Sequence, residues 1–268
     1  MNFRSLLHPK QRAQIELRRL AEFRARQALK RHPQVWAWLH DYLAKTESTG
    51  CSYHDYWALY RHVRQQGARE ILECGTGVST LVLAAACLDN EREGVPAARL
   101  TSMEDQESWL EMSRKLLPDE LQRFVDFTLS PSVEDSFSLF RGMRYREVPE
   151  RSYDFVFVDG PSYRAPDGAM TFDLDLLNVL QRSETPVSAI VDTRVSTCYV
   201  LQQVLGPEKV RFVPSVGLGF VAPSTRADLR IVRDDTPSRS FSKSYSLFGS
   251  TQLAFTAEAA LGARASKP

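Results

Sequence analysis

From Arg69 onward the chain alternates short apolar runs with stretches of helical periodicity, whereas the segment before it carries helical periodicity alone. Ile71–Glu73, Arg99–Glu104, Phe124–Leu129, Tyr153–Val158 and Val187–Val191 have the length and apolar content of strands. Between and after them lie helical patterns: Ser79–Leu88, a segment with Trp109, Met112 and Leu116 on one face, a short Val133–Phe140, then Met170–Gln181 and Thr197–Leu205. Val210–Val213 and Leu229–Val232 close the series, and the loop between them holds Gly217 and Gly219 without helical spacing, which predicts an antiparallel hairpin at one edge. Strands that are apolar along their length and separated by helices belong in a parallel sheet covered on both faces. The pattern therefore predicts a doubly wound, mostly parallel α/β sheet of seven strands.

Ahead of this body, residues 9–31 have helix-forming composition, with Ala13, Leu17, Leu20 and Phe23 within an arc of about 120°. Pro33 can open a second helix carrying Val35, Trp36, Leu39 and Leu43 on one face. After a break at Glu47–Gly50, a third follows with Tyr56, Trp57, Leu59, Tyr60 and Val63. The expected organisation is a helical extension over residues 1–49, packed against or capping an α/β domain over 50–233, with a Ser-, Thr- and Ala-rich tail over 234–268. In that tail Ser244–Ala254 is expected to order against the body and the final residues to stay disordered.

Charge changes this picture in one place. Residues 1–35 hold nine Lys or Arg against Glu16 and Glu22, a balance of +7 in a chain whose total is +1, so the rest carries −6. A basic first helix can dock on an anionic membrane surface, a nucleic acid or a partner, or simply solvate one face. The acidic body and the lack of an RNA-binding module count against a nucleic-acid substrate. Cys51, Cys74, Cys87 and Cys198 show neither CxxC pairing nor metal-like spacing with His, which points to reduced thiols in a cytoplasmic setting. Arg4, His8 and Lys10 interrupt any N-terminal apolar run, and no run approaches the length of a membrane span.

In open α/β sheets ligands bind beyond the carboxyl ends of the strands. Five strand ends here carry polar groups. The first runs Glu73-Cys-Gly75-Thr76-Gly77-Val-Ser79-Thr80, an acid and a glycine turn leading into a helix. Glycines let a ligand approach the main chain, and the free N–H groups of a helix start receive a carboxylate. An acid on the strand side suits an amine rather than a pyrophosphate, and S-adenosylmethionine (SAM) carries both groups. The second end, Ser102-Met-Glu104-Asp105, offers a carboxylate for ribose hydroxyls, with Glu104 the better placed. The third is Leu129-Ser-Pro-Ser132-Val133, the fourth Val158-Asp159-Gly160-Pro161 and the fifth Val191-Asp192-Thr-Arg194.

The succession Glu-Cys-Gly-Thr-Gly-Val-Ser-Thr, Ser-Met-Glu-Asp and Tyr-Asp-Phe-Val-Phe-Val-Asp-Gly-Pro resembles the class I SAM-dependent methyltransferases over about residues 50–233. That resemblance implies that Glu73, Gly75, Thr76 and Gly77, with Ser79 and Thr80 at the helix start, hold the methionine end of the cofactor. It implies Glu104, beside Asp105, for the ribose, Ser132 and Val133 near adenine, and Asp159 and Gly160 near the sulfonium. The activity implied is methyl transfer to a small-molecule or carbohydrate-like acceptor, at oxygen. A general base is then required, and Asp159 and His54 are the candidates. His54 has the alternative reading of a helix-start histidine meeting solvent. Tyr53, Tyr163 and Arg164 are candidate acceptor contacts. Asp159 and Asp192 could share a divalent cation, but Thr193 stands where metal-dependent relatives carry an acid or Asn, and Asp192 can equally pair with Arg194. Asp159-Gly-Pro-Ser-Tyr163 departs in register from the Asp-Pro-Pro-Tyr signature of amino-group methylases. Two other readings stay open: a methyltransferase-fold interaction protein without catalysis, and an NAD-dependent oxidoreductase, against which Thr80 stands where a third glycine belongs.

Overall fold

A computed structural model describes residues 9–47 and 52–231. Seven strands form one sheet: β1 (Glu70–Cys74), β2 (Arg99–Glu104), β3 (Val125–Leu129), β6 (Phe155–Val158), β8 (Val187–Asp192), β9 (Val210–Val213) and β10 (Leu218–Ser224). Their order is β3-β2-β1-β6-β8-β10-β9, parallel except for β10, which runs antiparallel to both β8 and β9. The fold is thus the doubly wound α/β sheet with an antiparallel edge. β1, β6 and β8 are buried along nearly their whole length, as strands covered on both faces must be.

One face is covered by α2 (Pro33–Lys45), α3 (Tyr53–Gln66) and α4 (Val78–Arg92), which bury Leu39, Leu59, Val63 and Leu81 in a common core with Ile71 and Phe155. The other face is covered by α7 (Asp175–Arg182), α8 (Val195–Leu205) and a second small sheet, burying Leu72, Val156, Leu177 and Leu201. Helix α5 (Glu107–Leu116) and the short α6 (Asp119–Gln122) lie between β2 and β3. Cys74, Cys87 and Cys198 are buried free thiols, while Cys51 lies outside the described residues. No helix among the described residues is long and apolar enough to cross a membrane.

The small sheet corrects one sequence expectation. Residues 132–145 form not a short helix but a hairpin of β4 (Ser132–Phe137) and β5 (Phe140–Tyr145), joined at Ser138 with φ 56° and extended by β7 (Phe172–Asp173). Its cross-strand ion pairs, Arg141 with Glu134 and Arg144 with Asp135, form only in the strand register and are invisible to local periodicity. Because Phe172–Asp173 pairs with β5, the following helix begins at Asp175 rather than Met170. The closing hairpin also differs from expectation. Its second strand is Leu218–Ser224, entered through Gly217 at φ 77°, and Gly219 lies inside the strand, where a Cβ would collide with Cys198 Sγ. Leu229 follows a single 3₁₀ turn (Arg226–Asp228), and the tail from residue 232 lies outside the described residues.

Helix α1 (Pro9–Leu29) docks by a different face from the one its apolar stripe suggests. Ala25 and Leu29 point inward, whereas Leu17, Leu20 and Phe23 are exposed. The contact is polar at its centre. Glu22 accepts hydrogen bonds from the backbone N–H of Tyr53 (2.9 Å) and His54 (3.1 Å), so a side chain from α1 caps the start of α3. Burial opposes its charge, but those N–H groups and His54 hold the Glu22 carboxyl below its usual range.

Candidate functional site

Strand order reverses at β1, which has β2 on one side and β6 on the other. The crevice at this reversal is where a doubly wound sheet binds ligands. Two loops meet there backbone to backbone. Gly75, at φ 96°, sits so close to the β6 loop that a Cβ would lie 2.8 Å from Asp159 O, and a Cβ on Gly160 would lie 2.8 Å from Gly75 N. Glycine at both positions is a packing requirement. Gly77 is different: its backbone is extended and a Cβ there would meet nothing within 4 Å. It opens α4 at the edge of free space.

Two clefts flank this junction, and Thr76 and Asp159 line both. The first, about 270 Å³, is walled by Gly75, Glu104, Asp105, Gln106, Trp109, Tyr145 and Arg194. The second, about 370 Å³, is walled by Gly77, Ser79, Ser52, Asp55, Asp192 and Thr193, with Arg18 of α1 at its edge.

Of the residues singled out from sequence, Gly75, Thr76, Gly77, Ser79, Glu104, Asp105, Asp159, Gly160 and Asp192 therefore reach the clefts. Glu73 and Thr80 do not line them. Glu73 is fully buried beneath the turn, where its Oε2 accepts hydroxyl hydrogen bonds from Thr80 (2.5 Å) and Ser102 (2.6 Å). Thr80 Oγ1 in turn accepts from the Gly77 N–H (3.0 Å), so Glu73 braces the glycine turn from below. Burial raises its pKa to about 7 against the hydroxyls of Ser102 and Thr80. A folded pKa above the unfolded one means stability that is full below about pH 4.5 and is lost as pH rises through about 7. Glu73→Gln should remove that loss, so that denaturant unfolding between pH 5 and 8 shows a decline smaller than the parent's by about 2–3 kcal/mol. An unchanged decline would refute the charge as its source.

Glu104 joins the two turns. Its Oε1 accepts from the N–H of Asp105 and Gln106 (3.0 Å each) and its Oε2 from that of Thr76 (3.3 Å). It thus serves both as the helix-start acceptor and as a cleft wall. Burial, with the nearby Asp105, lifts its pKa to about 7. Ser132 and Val133 open β4 away from both clefts; Trp109 and Gln106, at the start of α5, stand in the first cleft instead.

The second cleft concentrates carboxylates. Asp159 remains 42% accessible at the junction, yet desolvation by the surrounding loops and then the charge of Asp192 push its pKa up to about 8. Asp192 is raised to about 6, by burial first and then by Asp55, and its Oδ1 is buried without a hydrogen bond. Arg194, expected as its partner, instead binds Asp173 (2.6 Å), the carbonyls of Pro161 (2.8 Å) and Asp159, and the Asp159 carboxylate (3.4 Å). Tyr163 packs its ring on that guanidinium, 5.2 Å away, outside both clefts, and Arg164 is exposed on the loop beyond.

His54 is neither a free base nor a solvent-facing histidine. Its ring is buried, with Nδ1 2.8 Å from Glu22 and Nε2 2.6 Å from Val216 O and 3.0 Å from Asp55. Burial works against its charge, but Asp55 and Glu22 outweigh it and raise the pKa to about 9. The imidazolium is held as a tie between α1, α3 and the loop before β10. Tyr53 stacks on Trp36 (5.6 Å) beneath Arg26 and does not line the clefts. Among the described residues no three His, Cys, Asp or Glu side chains are arranged to hold a metal ion. Arg194 already occupies the charge of Asp159, so the residues present do not fit a metal at this pair.

A family model described as a methyltransferase domain matches residues 72–185, from the first strand through α7. Among solved structures, the chain is similar to an O-methyltransferase from Bacillus cereus in complex with SAH, S-adenosylhomocysteine (18% identity, 69% of this chain and 90% of that one, TM-score 0.47). It is also similar to the O-methyltransferase TomG from Streptomyces achromogenes in complex with SAM (18% identity, 76% and 89%, TM-score 0.44). No curated protein matches the chain. The matched residues include Gly75, Gly77 and Gly160, together with Glu104 and Asp159; Asp192, Arg194 and all of α1–α3 lie outside them.

Proposed function

We propose that the protein transfers the methyl group of SAM to a hydroxyl of a small-molecule acceptor. The observation that carries this reading is the pair of clefts sharing Thr76 and Asp159 at the strand-order reversal, one lined by Glu104 and the other by Asp192. Such an arrangement suits a ligand whose nucleoside lies on one side and whose reactive end meets a second molecule on the other.

The residues fit the cofactor. The Gly77 backbone leaves a cradle that a side chain would fill, and the first turn of α4 turns its N–H groups toward it, as a carboxylate requires. Glu104, Gln106 and Trp109 would receive the ribose and adenine, and Asp159 the region of the sulfonium. When bound, SAM supplies an electrophilic methyl group. This chain's own contribution is to align the acceptor oxygen with it and to take the hydroxyl proton. Asp192, which lines the second cleft and has a pKa raised toward neutrality, is suited to that proton. The catalytic unit on this reading is residues 50–233, with 1–49 as a cover and 234–268 as a tail.

Titration calorimetry of the full chain with SAH and with NAD tests the reading. Binding of SAH at one site per chain, without NAD, is expected. NAD binding without SAH would overturn it. Labelled SAM and a panel of hydroxylated small molecules would then reveal acceptors.

A further inference from the structure

Helix α1 lies within the basic N-terminal segment, yet its arginines are not equivalent. Arg18, Glu22, Ala25 and Leu29 recur at intervals of four, three and four residues, which puts them on one helix face. Glu22 caps α3, and Ala25 and Leu29 are buried, so this is the face turned to the body. One turn before Glu22, it delivers Arg18 to the edge of the second cleft. Arg12, Arg19, Arg24 and Arg26 are on α1 but do not line that cleft. Arg19 pairs with Glu16, and Arg26 lies over Trp36 and Tyr53. Arg18 has no hydrogen bond or ion pair among the described residues.

The cleft is thus lined by groups of both charges. Its lining holds the carboxylates of Asp55, Asp159 and Asp192 together with the guanidinium of Arg18, which is unpaired among the described residues. A free anion would be repelled from the carboxylates. A guanidinium in the same wall recognises carboxylate or phosphate oxygens through directed, charge-assisted hydrogen bonds. At about 370 Å³ the space is that of a small-molecule site.

We propose that the acceptor is a hydroxylated small anion, with its hydroxyl at Asp192 and its carboxylate or phosphate bound by Arg18 from α1. This rests on the acceptor reading of the second cleft. It gives the N-terminal helix a role in substrate selection: α1 closes the cleft and brings the charge that the α/β body lacks there.

Matched probes differing by one anionic group test the assignment on the full chain saturated with SAH. Calorimetry with 3,4-dihydroxybenzoate against catechol, and glucuronate against glucose, should show the anionic member of at least one pair binding tighter by about tenfold or more. Arg18→Gln should abolish that preference and leave SAH affinity unchanged. Arg24→Gln, which alters a residue of the same helix outside the cleft, should leave both unchanged. Equal affinity within both pairs, no binding of either anionic probe, or a preference that survives Arg18→Gln would overturn the assignment while SAH binding stands. Failure to bind SAH would remove the reading beneath it as well. A preference lost equally in Arg24→Gln would reduce the effect to the general charge of α1 and would also overturn it.

Discussion

Asp192→Asn is expected to lower kcat by about 10²- to 10⁴-fold with any acceptor hydroxyl, the range associated with losing a positioned general base. The amide keeps the size of the side chain and its place at the end of β8, so SAH affinity should stay within about twofold of the parent. Two further signatures separate a base from a structural acid. In the parent, activity should fall as pH drops through about 6, where Asp192 takes up its proton, and that limb should vanish in the variant. Asp159 should also titrate lower once the Asp192 charge that raises it is gone. Initial rates across pH 5–9, with the acceptor returned by the labelled-SAM panel, check both. Retained kcat with an unchanged profile would exclude Asp192 as the base, leaving Asp159 and Asp55 as the other carboxylates lining that cleft.

Gly77→Asp should cost on the order of 100-fold in SAH affinity while leaving the fold as stable as before. Aspartate is among the best residues at a helix start, where it accepts N–H bonds and complements the helix dipole. A Cβ at this position meets nothing within 4 Å, so neither strain nor collision follows in the protein itself. The added carboxylate would, however, occupy the cradle assigned to the methionine carboxylate, and like charges in close contact cost several kcal/mol. Calorimetry for binding and thermal unfolding for stability, run on the same sample, read the two effects separately. Gly75 provides the contrast. There a side chain must displace the Asp159 carbonyl and adopt a left-handed backbone, so substitution attacks the fold first. Full SAH affinity in Gly77→Asp would mean that the cradle is not where the cofactor lies.

The elements of the body were largely legible from periodicity, because strands buried on both faces and helices packed over them impose strong local patterns. The hairpin of β4 and β5 was not legible. Its Glu134–Arg141 and Asp135–Arg144 pairs join residues across strands, and such pairing has no local period. Apolar spacing in α1 marks a helix but not its docking face, since Leu17, Leu20 and Phe23 are left outside where a half-buried carboxylate, Glu22, makes the docking contact.

The same division runs through the candidate site. Strand ends are one-dimensional features, and the parallel sheet brings them to one rim by construction. The sequence alone therefore determined the fold class, the glycine junction at Gly75–Gly77, and the acids Glu104, Asp159 and Asp192 at strand ends. Only tertiary structure decided which way each side chain works. It buried Glu73 under the turn instead of opening it to the cleft, turned His54 into an ion-paired tie, moved Arg194 from Asp192 to Asp159 and Asp173, and carried Arg18 across to the second cleft. Those outcomes depend on desolvation and on contacts between residues tens to hundreds of positions apart. Hydrophobic period does not encode them, because the free energy of a buried charge is set by whichever partners the completed fold brings within reach.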